Sequence, residues 1–104
     1  MRVKSLAAIA GLAAALLGAS AAAAEPVVAK LQTPVPSATK PVAGGAVFEC
    51  LGDVCAARSP SADTAELRGC RDLVRQVGPV SAFGPASKPM SPDALSACNS
   101  AAKH

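Results

Sequence analysis

The chain has 104 residues, half of them hydrophobic, two aromatic, and a formal net charge of +3. Removing the first 24 residues takes Arg2 and Lys4 away and leaves eight Lys and Arg against seven Asp and Glu. A near-neutral remainder excludes non-specific nucleic-acid binding, which needs a clustered basic surface, and a chain without Trp or Tyr lacks most base-stacking platforms.

Residues 1–24 read as a secretory signal peptide. Arg2 and Lys4 form a positive start, and Leu6 to Leu17 is apolar and uncharged. Small residues follow at Ala19-Ser20-Ala21 and Ala22-Ala23-Ala24. This is the order an export signal requires. The apolar run is shorter than the ~20 residues that span a bilayer. Cleavage is expected after Ala24, with Ala21 as the alternative. No cysteine stands where a lipid anchor would attach, and no transmembrane segment is expected after the signal. A periplasmic or secreted location follows.

Residues 25–45 read as a disordered Pro/Ala-rich linker. Pro26, Pro34, Pro36 and Pro41 interrupt a helix or central strand, and Gly44-Gly45 ends the stretch.

The folded unit is expected over 46–104, as a small disulfide-stapled α+β domain. A β-hairpin is followed by a helix, a short strand and a second helix. Ala46 to Leu51 and Val54 to Ala57 are the hairpin arms around a Gly52-Asp53 turn. That register sets Leu51 opposite Val54, Cys50 opposite Cys55 and Phe48 opposite Ala57, with Glu49 pointing away. Asp63 to Glu66 has capping-box spacing, with Asp63 as the cap. Leu67, Cys70, Val74 and Val77 recur at helical spacing, and Gly78-Pro79 stops the helix. Val80 to Phe83 is the short strand. Ser91 caps the second helix, Pro92 takes its first position, and Met90 and Leu95 form a hydrophobic staple. Phe48, Leu67, Leu73, Val74, Val77, Val80, Phe83 and Leu95 are the expected core.

All four cysteines, Cys50, Cys55, Cys70 and Cys98, lie in the expected exported part, the pattern of a disulfide framework. A domain of about 57 residues buries little surface and needs such staples. Geometry favours Cys50 with Cys55, closing the hairpin at a non-hydrogen-bonded pair, and Cys70 with Cys98, joining the helices. Chain entropy assigns these about 2 and 3.5 kcal/mol. The rival pairing, Cys55 with Cys70 and Cys50 with Cys98, scores slightly more on entropy alone.

Phe48-x-Cys50-x-Gly52-Asp53-x-Cys55, Cys70-x-x-Leu73, Val77-Gly78-Pro79, Phe83 and Leu95-x-x-Cys98-Asn99 together resemble a family of short, exported, uncharacterised four-cysteine proteins of the alphaproteobacteria. The likeness spans about residues 46 to 102. It implies an exported location and a shared fold, and it carries no activity or catalytic residue.

Little in the chain is equipped for chemistry. Redox enzymes usually hold Cys-x-x-Cys at a helix start, unlike Cys50 and Cys55 in a hairpin. Zinc sites use closely paired Cys or His, and a copper site from Met1, Met90 and His104 falls short in ligand number because Met1 is expected to leave with the signal. His104, the sole histidine, ends the chain and cannot serve as a held base. No catalytic, metal or cofactor site is expected. Arg68, Arg71 and Arg75 form a helical stripe, either a solvated face or an anion-binding patch. Asp72 is placed to pair with Arg68. The expected function is a non-enzymatic binding or accessory module stabilised by two disulfides. Its partners would be an envelope protein or an anionic wall or lipid component. The rivals are a thiol-disulfide redox protein or sensor using Cys50 and Cys55, and a structural envelope component.

Overall fold

A computed structural model describes residues 25–102; the expected signal segment and His104 lie outside the described residues. In chain order the elements are β1 (Val27–Leu31), β2 (Val42–Ala43), β3 (Ala46–Val47), β4 (Glu49–Leu51), β5 (Val54–Ala57), α1 (Leu67–Val77), β6 (Val80–Gly84) and α2 (Pro92–Asn99). The fold is α+β. Four strands pair in the order β4-β5-β1-β6, every neighbour antiparallel, and β2 and β3 form a separate small ribbon.

The expected linker is not what the structure has over 25–45. Val27–Leu31 is an interior strand, paired with β5 on one side and β6 on the other. Its side chains alternate, with Val27, Ala29 and Leu31 buried and Val28 and Lys30 outside. The prolines bracket this strand: Pro26 precedes its first residue and Pro34 follows its last, so neither removes a ladder hydrogen bond from its middle. Gly44-Gly45 is likewise a hairpin turn. Both glycines have positive φ, 56° and 77°, which a mirror-image two-residue turn between Ala43 and Ala46 requires.

The β4–β5 hairpin has the register Glu49↔Ala56, Cys50↔Cys55 and Leu51↔Val54, but the expected arm from Ala46 to Leu51 is broken at Phe48. Ala46 and Val47 pair with β2, and Phe48 donates its N–H to the Pro41 carbonyl at 2.8 Å while Ala57 pairs with Val27, so Phe48 and Ala57 are not opposed. Cys50 turns its N–H and C=O away from β5 to Thr39, with N···O distances of 2.8 and 3.1 Å. Cys50↔Cys55 is therefore a non-hydrogen-bonded pair, the site at which opposed Cα atoms are closest. The two are disulfide-bonded, with Cα atoms 4.0 Å apart. Cys70 on α1 is bonded to Cys98 on α2, with Cα atoms 5.8 Å apart. Two disulfides in so small a fold point to an oxidising, extracytoplasmic environment. Among the described residues no helix is long and apolar enough to cross a membrane.

The first helix departs from its expected start. It begins at Leu67, with an extended Glu66 at the cap position and no side-chain cap. Asp63 acts through its backbone, its C=O accepting from the Glu66 N–H. Thr64 is fully buried, its hydroxyl donating to the Gly44 carbonyl at 2.7 Å and accepting from the Ser61 N–H at 2.8 Å. The turn before α1 is thus committed to holding the β2–β3 hairpin. Gly69 permits this approach, because a Cβ there would sit 2.2 Å from the Thr64 oxygen. The second helix starts as its sequence suggests, Ser91 accepting from the Ala94 N–H with Pro92 in the first turn.

One layer of helices covers one face of the sheet. Val27, Ala29, Leu31, Cys50, Cys55, Ala57, Val80 and Phe83 from the sheet join Phe48, Cys70, Leu73, Val74 and Cys98 in a single core. The Phe48 and Phe83 rings lie 6.2 Å apart, within the range of favourable aromatic pairs. Three residues expected in the core lie nearer its rim. Leu67 is exposed, and Val77 and Leu95 are partly buried. Their places are taken by the β1 side chains.

Candidate functional site

Alternation along the strands gives the sheet a second face, which nothing among the described residues covers. It carries Val28 and Lys30 from β1, Val54 and Ala56 from β5, Glu49 and Leu51 from β4, and Ala82 from β6. Leu51 is 74% exposed, Val28 41% and Val54 39%. Two ion pairs frame the apolar centre, Lys30 Nζ to Asp53 at 3.3 Å and Arg58 to Glu49 at 3.6 Å.

The Thr39 bridge to Cys50 lays residues 38–40 alongside β4 and raises a wall beside this face. Between the wall and the strands lies a groove of about 740 Å³, floored by Leu51, Val54 and Ala56, with Lys40 and Arg58 among its polar residues. The groove is shallow and open to solvent along the sheet face.

Both sheet edges are closed. On β4, Thr39 takes the outward backbone groups of Cys50. On β6, the Asn99 side chain stands in for a neighbouring strand. Its Oδ1 accepts from the Val80 N–H at 2.9 Å, and its Nδ2 donates to the Val80 carbonyl at 2.8 Å. The Met90 N–H donates to the Phe83 carbonyl at 2.8 Å. Asn99 adjoins Cys98, so the disulfide that pins α2 also sets this edge cap.

The cysteines and arginines singled out by sequence lie elsewhere. Cys55, Cys70 and Cys98 have no exposed surface and Cys50 is 3% exposed. Thiol exchange requires an attacking thiolate to reach a sulfur, and this burial withholds it. On α1, Arg68 and Arg75 are exposed and Arg71 half-buried. Asp72 pairs with Arg75 at 3.0 Å, not with Arg68 as expected, which draws one cation out of the stripe. Asp72 also accepts from the Gly44 N–H at 3.4 Å, so it helps hold the β2–β3 turn. Ser61, Thr64 and Asp72 gather around Gly44 and are all engaged in that task. Among the described residues no three His, Cys, Asp or Glu side chains are grouped to hold a metal ion.

Glu25 has a perturbed carboxyl. It accepts from the hydroxyl and the backbone N–H of Ser87, which hold its pKa below the ordinary glutamate range. It is exposed and tethers the start of β1 to the 85–88 loop, so it reads as a fastening and not as a reactive acid.

Sequence reasoning missed the groove because its wall comes from residues assigned to a linker. The signal that locates the wall is the Val27–Leu31 alternation. Once that run is a strand, the return path through residues 38–40 must pass one edge of the sheet.

The chain belongs to a family of unknown function (DUF8200), whose sequence profile matches residues 10–100. No curated protein and no solved structure matches it.

Proposed function

We propose that the protein is an exported, non-enzymatic binding or accessory module whose working surface is the outer face of the four-stranded sheet. The observation that carries this reading is the uncovered apolar centre of that face, with Leu51 74% exposed beside the groove. A small protein gains no stability from leaving a large side chain in water on an otherwise ordered strand, and such patches commonly mark contact sites. The two disulfides support a periplasmic or secreted home, since they persist where thiols are kept oxidised. The partner is a component of that compartment. The burial of all four cysteines weighs against the redox alternative at Cys50 and Cys55. The pairing of Arg75 with Asp72 weakens the arginine stripe as the principal anion site.

Site-specific photocrosslinking in cells tests the assignment. A photoreactive residue at Leu51 is expected to give a discrete adduct, protein or small molecule, and one at Arg68 is not. Adducts at Arg68 with none at Leu51 would move the binding surface to the helical layer.

A further inference from the structure

We propose that the groove beside β4 takes a monomeric single-chain amphiphile with an anionic head, the chemistry a free fatty acid presents. This rests on the reading of the outer sheet face as the binding surface and names the ligand class for it. Three observations select this occupant.

The first is charge. Lys40 has no acidic partner within ion-pair distance among the described residues. Arg58 meets Glu49 at 3.6 Å, with their side chains 79% and 51% exposed, a loose pair that water screens. Two cations against one carboxylate leave the groove net positive beside an apolar floor of Leu51, Val54 and Ala56. That combination complements an anionic head on an apolar tail.

The second is the state of the sheet edge. Alternate residues of an antiparallel strand direct their backbone groups to opposite sides. Cys50 uses its own on Thr39, so Glu49 and Leu51 face β5. No free ladder remains on β4 for an added peptide strand. A peptide laid on the floor would bury its own amides unpaired, which is costly. An acyl chain carries no such groups.

The third is size. Strands of three to five residues, about 10–17 Å long and about 4.8 Å apart, give a footprint of roughly 280 Å². A stable pair of proteins buries about 800 Å² per partner, so a second copy of this chain is a poor occupant. A small ligand in a groove of about 740 Å³ is not limited in this way.

The test uses the oxidised protein purified from cells, titrated with dodecanoate below its micellar concentration. Calorimetry and amide shift mapping are read together. Saturable one-site binding is expected, with shifts confined to Lys40, Leu51, Val54, Ala56 and Arg58. Dodecanol is expected to bind about tenfold more weakly or worse, a loss equivalent to one good charge contact. The double variant K40A/R58A should lower dodecanoate affinity by a similar factor and leave dodecanol unchanged. Both substitutions are at exposed positions, and retention of both disulfides and the amide spectrum checks that the variant is folded. Equal binding of dodecanoate and dodecanol, shifts scattered over the surface, or binding only to vesicles of anionic phospholipid would each overturn the proposal. If dodecanoate fails up to its solubility while an envelope extract shifts the same amides, the ligand class is wrong and the sheet-face reading stands.

Discussion

At the scale of single residues, the fold depends on a few side chains that replace backbone. Asn99 supplies a donor and an acceptor to Val80, doing for the β6 edge what another strand would do. An exposed edge invites pairing with other chains, and this one is blocked at the cost of one amide. Asn99→Ala is expected to lower stability by about 1–3 kcal/mol, from two lost hydrogen bonds and an unpaired Val80 N–H, the Val80 carbonyl keeping the Gln32 side-chain amide, as read by urea denaturation. A change within a few tenths would mean that water caps the edge equally well. Glu25 acts on the opposite end of the sheet. Its pKa is held below the ordinary value by Ser87, so its contribution is present above the usual glutamate range of about 4.3 and disappears as pH falls through the lowered folded value. A carboxyl titration by NMR should place the Glu25 midpoint below that of a model glutamate, with the Ser87 amide moving in step. Glu25→Gln should remove the Ser87 response. An ordinary midpoint would show that the tether does not form.

At the scale of elements, the parts legible in the sequence are those specified by local chemistry. The β4–β5 hairpin follows from Gly52-Asp53 between alternating arms. Helix α2 follows from Ser91-Pro92-Asp93, and β6 from the apolar run after Gly78-Pro79. The structure joins Cys50 to Cys55 and Cys70 to Cys98 because strand register and facing helices bring those pairs together. The start of α1 was not legible. Thr64 and Gly69 are fixed by contacts to Gly44, some twenty residues earlier in the chain, and that tertiary demand overrides the local cap signal at Asp63. Strand β1 was hidden by proline density, although its five residues carry the alternation of a half-buried strand. Its place in the fold can be tested by Ala29→Asp. Ala29 has no exposed surface and lies opposite both Cys55 and Phe83. A buried unpaired carboxylate there should cost more than about 3 kcal/mol or prevent folding, seen as a lost or shifted urea transition. A linker residue would accept the change without effect.

At the scale of the whole molecule, the protein is two layers with one side left open. The helices and both disulfides serve the inner face, where all four sulfurs and both phenylalanines are buried. The outer face has no layer above it among the described residues, and it holds the exposed Leu51 and the groove, with Lys40 on the wall beside it. This asymmetry was legible only in part. The hairpin register placed Glu49 outside, but the width of the face and the wall at residues 38–40 depend on β1 pairing across sequence distances that no local pattern records. It also separates the roles of the cysteines and the surface: the staples make the sheet rigid, and the sheet presents the site.

The most direct test of that account is an amide chemical-shift map of the oxidised, isotopically labelled protein titrated with an extract of the cell envelope. Shifts concentrated on Leu51, Val54 and Ala56 of the outer sheet face, with Lys40 and Arg58 beside them and α1 and α2 unmoved, are the expected result. Shifts concentrated on Arg68 and Arg71, or a spectrum that does not respond, would contradict it.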